Sequence, residues 1–154
     1  MTVSGRINKK KGVIITPERL YELCEIILKH CSRLEFTAET NAKTSLSFEN
    51  IDELLKYDNY KSRRVIELEI TGYIDYSRKI TLTIGYLGIN LLTNYGRTIE
   101  INYNLDSIDK ETIFKSDFEK WYEKSTSNFW ILGKFSLNGL LFIPSAFITF
   151  IRWI

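Results

Sequence analysis

The side chains best suited to metal or nucleophilic chemistry are one histidine and two cysteines. His30 is the only histidine, and Cys24 and Cys31 are the only cysteines. If all three lie on one helix, the two thiols share a face but stand about 10 Å apart along the axis, too far for a disulfide within that helix. His30 would point about 100° away from Cys31, so the three do not converge on one ion. The sequence therefore predicts two reduced thiols packed in a core and no metal site.

Two carboxylates, Glu67 and Glu69, have the spacing of a strand, which would place them on one face about 7 Å apart. Paired carboxylates at such distances perform acid–base catalysis in glycosidases. Here they alternate with Ile66, Leu68 and Ile70, as the solvent-facing side of an amphipathic strand does. We favour the second interpretation and assign no catalytic residue.

Nucleotide-binding and nucleophile motifs are missing from the chain. Gly85, Gly88 and Gly96 do not form the Gly-x-Gly-x-x-Gly pattern, and no phosphate-binding loop with a Gly-Lys-Ser/Thr ending occurs. No Gly-x-Ser-x-Gly elbow accompanies the histidine. We therefore predict a non-enzymatic protein without a cofactor.

Basic residues cluster in three places, with tyrosines among two of the clusters. The cations are Arg6, Lys9, Lys10 and Lys11, then Lys61, Arg63 and Arg64, then Arg78 and Lys79, and the tyrosines are Tyr57, Tyr60, Tyr73 and Tyr76. Such mixtures bind single-stranded nucleic acid, but a net charge of +2 does not demand a polyanion, so nucleic acid is not the favoured partner. For the first cluster we favour anionic lipid, at about 1 kcal/mol per cation near the surface.

The C-terminal segment 129–154 has the composition of a membrane anchor. Residues 135–151 are uncharged, and as a helix they would cover about 26 Å of a hydrocarbon core of about 30 Å. Flanking cations can reach the interface, and tryptophans favour it. The residues expected to contact membrane are Trp130, Lys134, Leu140, Phe142, Pro144, Phe147, Phe150, Arg152 and Trp153.

Two alternatives to a spanning helix stay open for this segment. It is short for a span and contains Asn138, Ser145 and Thr149, so it could lie in the interface. It could also complete a soluble core or an interface between copies. A helix that is apolar on all sides needs apolar surroundings, which favours the span.

Periodicity predicts the elements that position these residues. Thr16-Pro17-Glu18 begins a helix that continues to about Cys31. Alternation over 33–48 predicts a hairpin, and Asn50 with Glu53 predicts a short capped helix. Further strands are expected at 65–70, 80–86, 89–92 and 98–103, with a turn at Asn94-Tyr95-Gly96.

A final amphipathic helix is predicted over about 109–125. Its apolar stripe contains Ile113, Phe114, Phe118, Trp121 and Tyr122. The order of elements predicts the α+β class: one antiparallel sheet of about four to six strands, packed with N- and C-terminal amphipathic helices and followed by an apolar, transmembrane helix.

The chain is therefore divided into a mobile basic arm at 1–12, an α+β head at 13–125 and an anchor at 129–154. We expect a membrane-tethered domain, its head cytoplasmic, that binds a protein partner, a second copy or a ligand, as a membrane-acting effector or toxin with a sensor head would. The alternative is a soluble, homo-oligomeric interaction module whose C-terminal segment completes its own core or interface.

Overall fold

The protein folds as a six-stranded antiparallel sheet with two helices packed on one face. The computed structural model describes residues 2–9, 13, 15–59, 63–86 and 97–126. In chain order the elements are β1 (Val3–Lys9), α1 (Pro17–Leu28), β2 (Arg33–Thr40), β3 (Ser45–Phe48), α2 (Ile51–Lys56), β4 (Val65–Tyr73), β5 (Lys79–Tyr86), β6 (Arg97–Leu105) and α3 (Ile108–Ser125). The strand order across the sheet is β1-β6-β5-β4-β2-β3. The predicted α+β class with one antiparallel sheet is confirmed.

Side-chain caps begin each helix, and two of them were predicted. The Thr16 hydroxyl accepts the backbone N–H three residues on at 3.3 Å, and the Asn50 side chain accepts that of Glu53 at 2.9 Å. In α2 the Glu53 carboxylate also accepts the N–H of Glu49, the residue before the N-cap, at 2.8 Å. Ser107 caps α3 at 3.3 Å. These caps satisfy backbone donors that a helix start leaves unpaired.

The hydrophobic core lies between α1, α3 and the helix-facing side of the sheet. Its completely buried members come from β4, β5, β6 and both helices: Leu23, Ile27, Ile70, Ile80, Leu82, Ile84, Ile99, Ile101, Leu105, Phe114 and Phe118. The two helices are antiparallel, because the Trp121 indole N–H donates to the Arg19 carbonyl at 2.7 Å while Lys29 pairs with Asp117 at 2.7 Å. In β5 and β6 the buried apolar residues alternate with polar ones, so they lie on the one sheet face that the helices cover.

Residues Val3–Lys9 form strand β1, where the sequence predicted a mobile arm over 1–12. The strand pairs with β6 from Val3↔Leu105 to Lys9↔Ile99. Only Val3 and Ile7 are apolar in an otherwise polar and basic stretch, too few to reveal a strand by periodicity. Strand β1 forms because β6 pairs with it, and the local sequence does not predict this long-range pairing.

Two details of the predicted helices are also wrong. Helix α1 ends at Leu28, and the N–H of His30 bonds the Ile27 carbonyl in a turn, so Cys31 does not share the helix. Ile113 is 53% exposed rather than part of the apolar stripe of α3. It lies about 100° around the helix from Phe114, far enough to leave the core face.

Some predictions fall outside the described residues. These are the strand at 89–92, the turn at Asn94-Tyr95-Gly96, Lys10, Lys11 and the whole segment 129–154 with its expected membrane residues. None of the helices in the described part of the chain combines the length and apolar composition that crossing a membrane requires.

Candidate binding surface on the open sheet face

The side of the sheet opposite α1 and α3, here called the open face, carries polar side chains from all six strands. Because alternate residues of a strand point to opposite faces, the register defines its rows. One row runs across five strands as Arg6, Asn102, Thr81, Thr71 and Glu35. The next contains Asn8, Glu100, Thr83, Glu69, Thr37 and Ser47. The open face is therefore a broad surface of hydroxyls, amides and carboxylates.

Negative charge predominates on the open face. Its glutamates are Glu35, Glu39, Glu67, Glu69 and Glu100, and its cations are Arg6, Arg33 and Lys79. Arg6 pairs with Glu100 at 2.7 Å and Arg33 pairs with Glu35 at 3.3 Å. Glu39 and Glu67 stand directly opposite each other in β2 and β4. No described cation pairs with either of them, so this end of the face is acidic.

The carboxylates considered for acid–base chemistry lie in this acidic region. Glu67 and Glu69 are both exposed on β4, as the solvent-face interpretation predicted. The Thr71 hydroxyl donates to Glu69 at 3.2 Å. The pair therefore belongs to a polar surface.

A cavity of about 410 Å³ opens at the other end of the open face, where the β4–β5 turn meets the start of β2. Ser32, Arg33, Tyr73, Asp75 and Tyr76 line it, and its volume falls within the range of small-ligand pockets, roughly 300–1,000 Å³. Arg33 and Tyr73 are register partners. The guanidinium carbon lies 4.6 Å from the centroid of the tyrosine ring, a cation–π contact.

Asp75 holds the β4–β5 turn in shape. One carboxylate oxygen accepts the backbone N–H groups of Ser77 and Arg78, each at 2.9 Å, and the other accepts the Arg78 Nε–H at 2.7 Å. The Arg78 side chain and these backbone donors hold the pKa of Asp75 well below its usual range. Tyr76, at the tip of this braced turn, is fully exposed.

The wall formed by Tyr73 is fixed by three neighbours. Its hydroxyl donates to Glu35 at 2.9 Å, and this bond to a carboxylate raises the pKa of the tyrosine. Ser32 donates its hydroxyl to the Tyr73 carbonyl at 2.9 Å. With Arg33 over the ring, the aromatic face, the guanidinium and the carboxylate form one ordered group at the cavity.

The thiols considered for chemistry are suited to packing instead. Cys24 and Cys31 are both free. Burial raises the pKa of Cys24 to about 12 and that of Cys31 to about 11. Thiols with such pKa values are protonated at neutral pH and are poor nucleophiles. Among the residues that the structure describes, no three His, Cys, Asp or Glu side chains are placed to share a metal ion.

His30 lies in the turn after α1 and packs against α3. Both ring nitrogens are buried and have no hydrogen-bond partner among the described residues. The ring meets Phe114 edge-on, with centroids 5.7 Å apart. Burial is the main cause that lowers the pKa of His30 below 6.5, and Lys110 and Lys29 add to it while Asp117 and Asp106 oppose it.

We expect the protein to lose stability as the pH falls below about 6.5, because the folded state favours neutral His30. The stabilising preference is complete above the ordinary histidine pKa and is lost as the pH falls toward the lowered one. Thermal melts between pH 7 and 5 measure it. His30→Gln should flatten this part of the profile, since no other histidine titrates there. An unchanged slope in the variant would contradict the assignment.

The two described cations of the predicted lipid-contact cluster face in opposite directions. Arg6 lies on the open face with Glu100. Lys9 lies on the helix side, 2.6 and 2.8 Å from the two carboxylate oxygens of Glu119 and 5.0 Å from the ring centroid of Tyr122. The structure does not bring Arg6 and Lys9 into one patch.

The residues that follow β1 and α3 meet at one corner of the described domain. Val13 and Thr126 form an isolated antiparallel bridge. The Ser125 hydroxyl donates to the Trp121 carbonyl at 2.8 Å, and the Thr126 N–H donates to the Tyr122 carbonyl at 2.9 Å. Helix α3 is therefore closed at its C-terminal end by hydrogen bonds to its own carbonyls.

The sequence marks Tyr73 and Tyr76 as aromatic neighbours of basic residues, but it gives no local signal for Arg33 and Glu35. The recognisable signal for the turn was Asp75-Tyr76-Ser77, because Asp side chains favour turns by accepting the backbone N–H two residues on. The pairing of β2 with β4, which brings Arg33 to Tyr73, is a long-range contact without a local signal.

The fold and its surfaces define a small α+β domain with one covered and one open, polar sheet face. Comparison with protein-family models, with curated proteins and with solved structures finds no match for this chain.

Proposed function

We propose that this protein is a non-enzymatic binding domain that presents its open sheet face to a partner or ligand and is tethered to a membrane by segment 129–154. The observation that carries the proposal is the difference in composition between the two sheet faces. One face closes the hydrophobic core, and the other is lined with polar and charged groups. Polar groups that converge on an accessible surface are suited to recognition.

The composition of the two parts of the chain supports the tethering part of the proposal. In the described domain, Phe114, Phe118 and Leu23 are completely buried members of one hydrophobic cluster. The apolar run in 129–154 has the composition that suits a hydrocarbon environment.

The corner formed by Val13 and Thr126 also supports tethering. Lys10 and Lys11 precede Val13 in the sequence, and the anchor segment follows Thr126. In the sequence, the basic residues lie two and three positions before Val13, and the apolar segment begins three positions after Thr126. Cations beside a membrane anchor attract the anionic lipids of the cytoplasmic leaflet.

Removal of residues 129–154 tests the proposal against a soluble module that needs this segment. We expect the full chain to remain in the membrane pellet after a carbonate wash and the truncated chain to appear in the supernatant. The truncated chain should keep one cooperative thermal transition with a similar midpoint. Release of the full chain by carbonate, together with loss of the cooperative transition on truncation, would favour the soluble module instead.

A further inference from the structure

We propose that the cavity lined by Ser32, Arg33, Tyr73, Asp75 and Tyr76 binds a neutral sugar ring. This inference rests on the proposed binding function, because Tyr73 and Arg33 belong to the open face. It adds the chemical class of a ligand, which the broad face alone does not specify.

The size and walls of the cavity suit one small ring. Its volume of about 410 Å³ accommodates a single sugar with room for a linkage to a second. Tyr76 presents a fully exposed ring on a turn that Asp75 holds in place. A tyrosine has only two side-chain torsions, so fixing it on binding costs little entropy, and its flat face accepts the C–H face of a pyranose.

Charge compensation around the cavity selects against ionic ligands. Arg78 neutralises Asp75, and Glu35 lies 3.3 Å from the Arg33 guanidinium. No unpaired charge is left among the lining residues to attract a phosphate or an ammonium group. A nucleic acid backbone would in addition face the glutamates of the open face.

The remaining hydrogen-bonding capacity suits hydroxyl groups. The Arg33 guanidinium has five N–H donors, and its ion pair with Glu35 is made through Nη2. The remaining N–H groups can donate to two adjacent oxygens of a ligand. The Ser32 hydroxyl donates to the Tyr73 carbonyl and keeps its lone pairs as acceptors. Neighbouring hydroxyls of a sugar can therefore both donate and accept here, while the ring's apolar side covers a tyrosine.

Saturation-transfer NMR on the full chain in a detergent without sugar head groups tests the inference. The probes are the methyl glycosides of glucose, galactose, mannose and N-acetylglucosamine, with adenosine as a planar aromatic comparison. We expect ring-proton saturation for at least one glycoside, and a loss of at least fivefold in Tyr76→Ala. Tyr76 is fully exposed, so this variant should melt like the wild type.

Tyr21→Ala is the matched control, because Tyr21 is an exposed tyrosine on α1, where it donates to Asp52 far from the cavity. It should keep the glycoside signal. Saturation of adenosine alone, no saturation by any glycoside, or an equal signal in Tyr76→Ala would each overturn the inference. A carbonate wash of the same chains separates the two proposals, since membrane retention without sugar binding rejects only the sugar site.

Discussion

Replacing Phe118 with alanine is expected to lower the free energy of unfolding by about 3–5 kcal/mol. Phe118 is completely buried in the middle of α3. Its ring is inclined by 28° to that of Trp121 and by 26° to that of Tyr122, with centroids 5.7 and 6.1 Å away. Truncation would remove these contacts and leave a cavity that the surrounding sheet can fill only in part. Urea unfolding followed by circular dichroism measures the loss.

Ile113→Ala on the same helix is the matched control. Ile113 is 53% exposed, so its truncation removes little buried surface and should change stability by less than about 0.5 kcal/mol. The comparison holds helix propensity nearly constant, because both variants place alanine in the interior of α3. Equal losses in the two variants would mean that α3 does not bury the face described above.

The secondary structure was largely predictable because local signals and burial agree. Thr16 and Asn50 are capping residues followed by apolar spacing of three and four, and both helices begin there. In β5 the alternation of Ile80, Leu82 and Ile84 with polar residues marks a strand that is covered on one face. Such patterns fix an element and its buried side without any knowledge of its neighbours.

The arrangement of the strands was not predictable from the same signals. Strand β1 contains few apolar residues and exists as a partner of β6, about 90 positions later in the chain. The cavity depends on Arg33 reaching Tyr73, which the register of β2 against β4 decides. Local periodicity carries no information about which strands become neighbours, so the sequence indicated the tyrosines but not the guanidinium and carboxylate beside them.

Gly72 illustrates such a long-range constraint, and Gly72→Ala is expected to lower stability by about 1–3 kcal/mol. A Cβ at this position would lie 2.6 Å from Ile27 Cγ2 and 2.7 Å from Cys31 Sγ. Ile27 is completely buried, so it cannot move aside without disturbing the core. The glycine thus allows α1 and the turn after it to approach β4 closely. Chemical denaturation of the variant measures the cost.

Gly85→Ala separates this steric cost from the general effect of replacing a strand glycine. Among the described residues, a Cβ at Gly85 would meet the Glu67 side chain alone, with Oε2 at 3.4 Å, and that exposed carboxylate can move into solvent. The unfolded chain loses flexibility in both variants, so Gly85→Ala should be neutral or stabilising by up to about 1 kcal/mol. A destabilisation of Gly85→Ala equal to that of Gly72→Ala would contradict the close packing of Ile27 and Cys31 on β4. The two substitutions are expected to change stability differently because different groups pack against each glycine. At Gly72 these are the buried Ile27 side chain and Cys31, and at Gly85 it is the exposed Glu67 side chain.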